Sequence, residues 1–222
     1  MWCIPKVNAA FVACMEDILD LYELPYDAKY PLVCFDETPK QLIMETRLPL
    51  PPKPGYPERF DYEYQRNGVR NLFMFLEPLA GRREVLIRQR RTKQDFSHAI
   101  QWLVDEIHPE AECIRIVLDN LNTHTIAALY ETFPPEEANR LRKKIELHYT
   151  PKHASWLNMA EIEFSIFGRK CLAKRIPDDI TLHKEVKALV TYRNNRDSTI
   201  DWQFTTDDAR IKLNRLYPSY LE

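Results

Sequence analysis

Glycine is scarce in this chain, with 4 residues among 222, whereas proline is plentiful at 16. The 5 cysteines are scattered and form no C-x-x-C pair. This pattern argues against a disulfide framework or a zinc site and favours reduced thiols. No apolar run approaches the roughly 18 residues that span a bilayer, and the N-terminus lacks the basic-then-apolar layout of a signal peptide. We therefore expect a cytoplasmic protein with no membrane segment.

The acidic and basic side chains nearly balance, with 33 Asp and Glu against 31 Lys and Arg. Apolar residues make up 45% of the chain and charged residues 29%, which excludes wholesale disorder. The slight excess of acid argues mildly against nucleic-acid binding. However, residues 81–175 carry 16 basic and 13 acidic side chains, so this stretch can form a local anion-binding face.

The hydrophobic pattern predicts an α/β fold built on a mixed sheet with helices on both faces. Predicted strands cover residues 30–38, 40–48, two segments of 70–92, 113–120 and 145–151. The 40–48 segment is interpreted as the antiparallel partner of 30–38, and the turn within 70–92 is placed near Ala80 and Gly81. Predicted helices cover residues 8–24, 93–108, 157–174, 181–193 and 205–216, with a weaker helical stretch at 125–144. The prolines of 48–57 predict a loop.

Three carboxylates stand where this order of elements brings them together. Asp36 ends the first predicted strand, Asp119 ends the 113–120 strand, and Glu161 opens the helix after the 145–151 strand. Three carboxylates in one pocket repel each other unless protons or a cation intervene, and Mg²⁺ is a hard cation that prefers oxygen ligands. Two such ions roughly 3.5–4 Å apart can activate an attacking oxygen and stabilise a leaving one on phosphorus. The pattern therefore predicts phosphodiester cleavage or strand transfer.

Each of these residues also has a purely structural explanation. Asp36 can be a turn residue after a strand, and Asp119 can form an Asx turn. Glu161 stands three residues after Asn158, which is capping-box spacing. His124 can contact substrate or leaving group, or cap the following helix.

Glu163 is the alternative to Glu161 as the third carboxylate. The two residues are separated by roughly 200° around a helix, so they cannot both face one pocket. Glu161 shares a polar stripe with Asn158 and Ser165. We therefore expect Glu161 to be the ligand and Glu163→Gln to keep most activity.

The local strings resemble the DDE transposases of bacterial insertion sequences, in the branch related to mariner-like elements. VLDNLNTH at 117–124 resembles the string that carries the second aspartate, and HYTPKHASWLNMAEIEF at 148–164 resembles the one that carries the glutamate. CFDETPKQL at 34–42 matches the first-aspartate string. The resemblance covers residues 30 to 175 and implies a ribonuclease H-like fold. It assigns Asp36, Asp119 and Glu161 to a catalytic triad that binds Mg²⁺ or Mn²⁺, with two ions expected.

The resemblance also implies DNA as the partner, both element ends and target, and a homo-oligomer in the active complex. It divides the chain into a helical lead-in (1–29), a ribonuclease H-like catalytic domain (30–176) and a C-terminal helical extension packed on it (177–222). Basic residues beside the acidic pocket are expected to hold the phosphate backbone. The candidate DNA contacts are Arg88, Arg90, His124, Lys152, Arg169 and Lys170. Arg88 and Arg90 are expected on one face of a strand.

The sequence departs from the family pattern in several places. Met159 replaces the usual proline of L-N-P-x-E, Phe164 replaces the common tryptophan, and 41 residues separate Asp119 from Glu161. Family members usually begin with helix-turn-helix modules, and this chain has one helix before the first catalytic strand. A separate helix-turn-helix part, a second reading frame or a decayed copy would each account for that difference.

Two other functions stay open at this point. Asp36-Glu-Thr faintly resembles the nucleophile motif of haloacid dehalogenase-type phosphatases, although that motif wants a second aspartate where this chain has Thr38. The other alternative is a decayed or truncated transposase that only binds DNA or a partner subunit.

Overall fold

A computed structural model describes residues 8–218; the first seven residues of the predicted lead-in and the last four of the predicted extension lie outside it. Its strands are β1 (Leu32–Glu45), β2 (Tyr64–Glu77), β3 (Arg82–Arg88), β4 (Ile114–Leu118) and β5 (Ile145–Tyr149). They form one sheet in the order β3-β2-β1-β4-β5. The β1–β2 and β2–β3 pairs are antiparallel, and the β1–β4 and β4–β5 pairs are parallel. The predicted mixed sheet is therefore confirmed.

Seven α-helices flank the sheet within the described residues. They are α1 (Ala9–Tyr22), α2 (Lys93–Trp102), α3 (Ile126–Thr132), α4 (Pro135–Lys143), α5 (Ala160–Phe167), α6 (Asp179–Asn194) and α7 (Thr206–Lys212). Two of them, α2 and α5, continue into single π-helical turns at Leu103–Ile107 and Gly168–Leu172. No helix within residues 8–218 is long and apolar enough to cross a membrane.

The helices divide between the two faces of the sheet because successive strand side chains point to opposite sides. Cys34 and Met74 belong to one apolar core, which also contains buried residues of α1, α5, α6 and α7. Phe35 and Phe73 belong to the other, together with buried residues of α2, α3 and α4. The two cores fix the helices that surround the strand ends.

The prediction of separate strands at 30–38 and 40–48 is wrong, because β1 runs unbroken through both segments and its antiparallel partner is β2. Pro39 lies inside β1, opposite Asn71. On its other side β1 pairs with β4 only at residues 32–34. A proline is tolerated there because the missing N–H belongs to a strand edge. Asp36 consequently lies within a long strand and not at its end.

The turn predicted near Ala80 and Gly81 does connect β2 to β3. Gly81 has φ +65°, and a Cβ at this position would lie 2.8 Å from the carbonyl carbon of Asp197. Glycine is required here by both conformation and space. The contact ties the β2–β3 turn to the segment that follows α6.

Candidate active site

Asp36 lies on the face of β1 that α5 covers. Its neighbour Glu37 donates a backbone N–H to Oδ1 of Asp36 at 2.7 Å. Burial raises the pKa of Asp36, that N–H bond opposes the rise, and the negative charges of Glu161, Asp119 and Glu37 add to it, so that the pKa reaches about 7. Asp119 and Glu161 are therefore both close enough to Asp36 for their charges to reach it.

Asp119 immediately follows β4 and is held by His124. Nδ1 of His124 lies 2.5 Å from Oδ1 of Asp119, and Nε2 lies 3.1 Å from Oε2 of Glu37. The carbonyl oxygen of His124 accepts a hydrogen bond of 2.8 Å from the Tyr149 hydroxyl. Burial by itself lowers the pKa of His124, but the hydrogen bonds that its ring donates to Asp119 and Glu37, together with their negative charges, outweigh it and raise the pKa to about 9. The imidazolium thus links two carboxylates.

This placement of His124 differs from the predicted contact with DNA. The side chain is 1% exposed and packs edge-on against the ring of Phe35, with 5.3 Å between ring centroids. Both ring nitrogens already face carboxylates. The geometry fits a residue that orients Asp119 better than one that touches substrate.

Glu161 lies in the first turn of α5 and is exposed. The start of this helix is fastened to β1 by the buried Asn158, whose Nδ2 donates to the Phe35 carbonyl at 2.7 Å. Oδ1 of Asn158 accepts from the N–H of Ala160 at 3.1 Å, so Asn158 caps Ala160 and not Glu161. One side chain therefore connects the residue before Asp36 to the turn that carries Glu161.

Glu163 is buried, whereas Glu161 is exposed. Its side chain is 0% exposed and lies between the guanidinium groups of Arg83 on β3 and Arg193 on α6. A carboxylate enclosed in this way is not available to a metal ion in the acidic pocket. That Glu163→Gln keeps most activity stays a prediction, but the burial adds a structural cost, because removal of the carboxylate leaves two arginines without their buried partner.

The chemistry of the acidic pocket fits a hard divalent cation. All three donors are carboxylates, and mutual repulsion contributes to the raised pKa of Asp36, which a cation would reverse. Among the described residues, no three His, Cys, Asp or Glu side chains are already arranged to hold a metal ion. Oδ1 of Asp119 faces His124, and the carboxylate is 37% exposed. Rotation of exposed side chains is therefore needed to close a coordination sphere.

One of the predicted DNA contacts lies away from this pocket. Arg88, the last residue of β3, lines a cleft beside α2 together with Asp95, Asp105 and Glu106. This is the sheet face opposite Asp36. Arg90 is exposed but lies beyond the end of β3, so the expected strand alternation of Arg88 and Arg90 is wrong.

The other basic candidates lie on elements that flank the pocket. Lys152 is exposed in the loop between β5 and α5 and lines a cleft of about 360 Å³ with Asn120, the residue after Asp119. Arg169 and Lys170 are exposed on the π-helical turn that continues α5. All three side chains are exposed to solvent.

A family model supplies the decisive comparison, because the DDE superfamily endonuclease model matches residues 31–183, most of the chain. The chain belongs to the DDE superfamily of endonucleases. This membership leaves the phosphatase alternative without support. A comparison with curated proteins gives no significant match.

Solved structures of Mos1 transposase share the fold of this DDE domain. The Mos1 paired-end complex with left transposon end has a TM-score of 0.60 and 13% identity, over 89% of this chain and 60% of that one. The Mos1 strand transfer complex has a TM-score of 0.62 and 11% identity, over 100% and 66%. The Mos1 mariner paired end complex with Mn has a TM-score of 0.58 and 14% identity, over 89% and 60%. The predicted ribonuclease H-like fold is confirmed, and the chain spans about 60% of the length of the first of these relatives.

Sequence reasoning missed three residues that build this site. Glu37 belongs only to the Asp36-Glu-Thr string, Arg83 only to the basic stretch 81–175, and Arg193 carries no local signal. Their partners are 30 to 111 residues away along the chain. The adjacency of Glu37 to Asp36 was the one local signal that pointed to the site.

Proposed function

We propose that this chain is the catalytic part of a transposase of the mariner-related insertion-sequence type, which cuts and joins DNA strands. The observation that carries the proposal is the electrostatic coupling of Asp36 to Asp119 and Glu161. These residues come from a long strand, the end of its parallel neighbour and the start of a helix. Membership of the DDE superfamily supports the same assignment.

Asp36, Asp119 and Glu161 are the residues that would hold Mg²⁺ or Mn²⁺, as two ions. Related Mos1 paired-end complexes contain Mn and Mg. When bound, such ions lower the pKa of the attacking oxygen and neutralise charge that develops on the leaving oxygen. This role accounts for a site assembled from carboxylates alone.

The chain's own residues then orient these donors and the DNA. His124, whose other ring nitrogen faces Glu37, holds Asp119, and Asn158 fixes the turn that carries Glu161. We propose that Lys152, Arg169 and Lys170 hold the phosphate backbone on either side of the scissile bond. Sequence recognition of the element ends is assigned to a separate helix-turn-helix part, and the active complex to a homo-oligomer.

A strand-nicking assay on supercoiled DNA, run in Mg²⁺ and again in Mn²⁺, tests the proposal. Glu161→Gln should abolish cleavage and leave the fold and bulk DNA binding intact. Glu131→Gln is the matched control, since Glu131 is an exposed helical glutamate whose ion pair with Lys93 lies on the surface. Cleavage by Glu161→Gln at the wild-type rate would overturn the proposal. Binding without any cleavage by the wild-type chain would favour a decayed module instead.

A further inference from the structure

A buried cluster of one carboxylate and two guanidinium groups lies behind the proposed triad. The side chains of Glu163 and Arg83 are both 0% exposed, and that of Arg193 is 18% exposed. Oε1 of Glu163 lies 3.2 Å from Nε of Arg83 and 2.5 Å from Nε of Arg193, as ion-pair contacts without hydrogen-bond alignment. The aligned bond runs from Nη2 of Arg193 to Oε2 of Glu163 at 3.0 Å.

Arg83 is itself anchored to a third part of the chain. Its Nη1 donates to Oδ1 of Asn194 at 3.2 Å, and its Nη2 donates to the carbonyl of Ser198 at 2.7 Å. The backbone N–H of Arg83 also donates to Oδ1 of Asn194, at 3.0 Å. The guanidinium that meets Glu163 therefore has little freedom to move.

Stability alone does not account for such a cluster. The free energy of desolvating buried charges offsets much of the free energy gained from their attraction. Apolar residues of similar volume often stabilise a protein as well or better. A buried ionic cluster does fix the relative orientation of the elements that carry it, because its side chains pair in only one arrangement. The question is which element this cluster orients.

The element is α5, and Glu161 lies on it between two fixed points. Asn158 fastens the start of the helix to the Phe35 carbonyl at 2.7 Å, and Glu163 fastens the next part to β3 and α6. A short helix held at one point can still rotate about its own axis, whereas a second hold on another side prevents that rotation. The direction in which Glu161 leaves the helix is thereby set.

We propose that Glu163, held between Arg83 and Arg193, is a positioning residue that sets the rotation of α5 and so places Glu161 against Asp36. The inference rests on the proposed role of Glu161 as a metal ligand. It gives the second glutamate of the E-I-E string a function distinct from that of the first. Glu163 contacts neither metal nor DNA.

Mn²⁺ binding to the DNA-free protein, followed by electron paramagnetic resonance, tests this role without relying on activity. Glu163→Gln should weaken Mn²⁺ binding about 10-fold, the size expected when a group that orients metal ligands is lost. Leu129→Ala is the matched control, since Leu129 is a fully buried residue of α3 on the other face of the sheet. Measured where both variants are fully folded, the control should bind Mn²⁺ within twofold of wild type. Equal affinity of Glu163→Gln and wild type would overturn the proposal.

Two further variants separate positioning from stability. Arg193→Lys keeps the positive charge and should retain more Mn²⁺ affinity than Glu163→Gln. If Arg193→Lys retains no Mn²⁺ affinity, the charge contact with Glu163 is not what places Glu161. The triple variant Arg83→Met/Glu163→Leu/Arg193→Met should fold yet bind Mn²⁺ weakly, and wild-type affinity in this variant would overturn the proposal. Glu161→Gln identifies the other kind of failure: if it binds Mn²⁺ like wild type, the proposed metal site is wrong, whatever Glu163 does.

Discussion

Nδ1 of His124 lies 2.5 Å from Oδ1 of Asp119, so the second aspartate of the proposed triad is oriented by a buried imidazole. The other ring nitrogen faces Glu37, the residue next to Asp36. A single side chain therefore connects the strand that carries the first aspartate to the loop that carries the second. The two aspartates are placed as a pair.

Replacing His124 tests how strongly its side chain is coupled to that of Glu37. His124→Leu leaves the 4%-exposed carboxylate of Glu37 without its nearest partner and should lower the free energy of unfolding by about 3–5 kcal/mol. The double variant Glu37→Leu/His124→Leu should recover part of that loss, because no buried charge is stranded. Urea denaturation of the wild type, the two single variants and the double variant gives the coupling energy. Strictly additive losses would show that the two side chains do not act as a unit.

Asp36 should make the metal-free protein less stable as the pH rises. Its pKa is about 7 in the folded chain and 3.8 ordinarily, so between those values the folded state binds a proton that the unfolded state does not. Stability therefore falls as the pH rises through this window. Asp36→Asn removes the effect, and its stability relative to wild type should improve by about 2–3 kcal/mol between pH 5 and pH 8.

Chemical denaturation in EDTA at the two pH values provides the measurement for Asp36. His124 titrates in both proteins, so its contribution largely cancels in the comparison. Parallel pH profiles for Asp36→Asn and wild type would mean that the acidic pocket does not raise the pKa of Asp36.

Asn158→Ala should loosen the start of α5. The Phe35 carbonyl loses its buried donor, which costs about 1–3 kcal/mol, and Mn²⁺ binding should weaken because Glu161 is less well placed. Thermal unfolding and Mn²⁺ titration measure the two effects. Asn139→Ala, on the surface of α4, is the control and should alter neither. A loss of stability without any change in Mn²⁺ affinity would show that Asn158 does not help to place Glu161.

DNA binding by this chain should be weak, largely independent of sequence and steeply dependent on salt. Removing two phosphate contacts with Arg169→Ala/Lys170→Ala should reduce the slope of log K against log salt by about 1.8. Arg142→Ala is the control, since Arg142 lies on α4 and contacts Asn139. Fluorescence anisotropy over a range of salt concentrations gives the slopes. An unchanged slope in the double variant would remove these residues from the interface.

The sheet and most helices could be predicted because apolar periodicity is a local property. The 113–120 and 145–151 segments became β4 and β5, and the weaker helical stretch at 125–144 became α3 and α4. The continuity of β1 could not be predicted, because the tolerance of Pro39 depends on where β4 stops pairing with its neighbour. That is a property of the assembled sheet and not of the residues around the proline.

The residues of the site also divide into those that the sequence could predict and those that it could not. Asp36, Asp119 and Glu161 stood out through local strings, and their placement follows from the order of strands and helices. His124 and Asn158 also lie in those strings, but the surroundings of Glu163 could not be predicted, since Glu163 meets Arg83 and Arg193 only after α5 and α6 have packed on the sheet. Buried charge also looks like surface charge in a sequence, so the enclosure of Glu163 could not be seen there.

The parallel pairing of β1 with β4 has a consequence for folding kinetics. It joins Leu32 to Arg115 across an intervening hairpin and helix, and such non-local closures are slow because loop entropy must be overcome before the contacts form. A nascent or partly unfolded chain can therefore form the β1–β2–β3 meander early, with Asp36 alone in place. The complete set of carboxylates exists only after the last parallel strands have docked and α5 has packed, so a chain that has not finished folding lacks the proposed metal site.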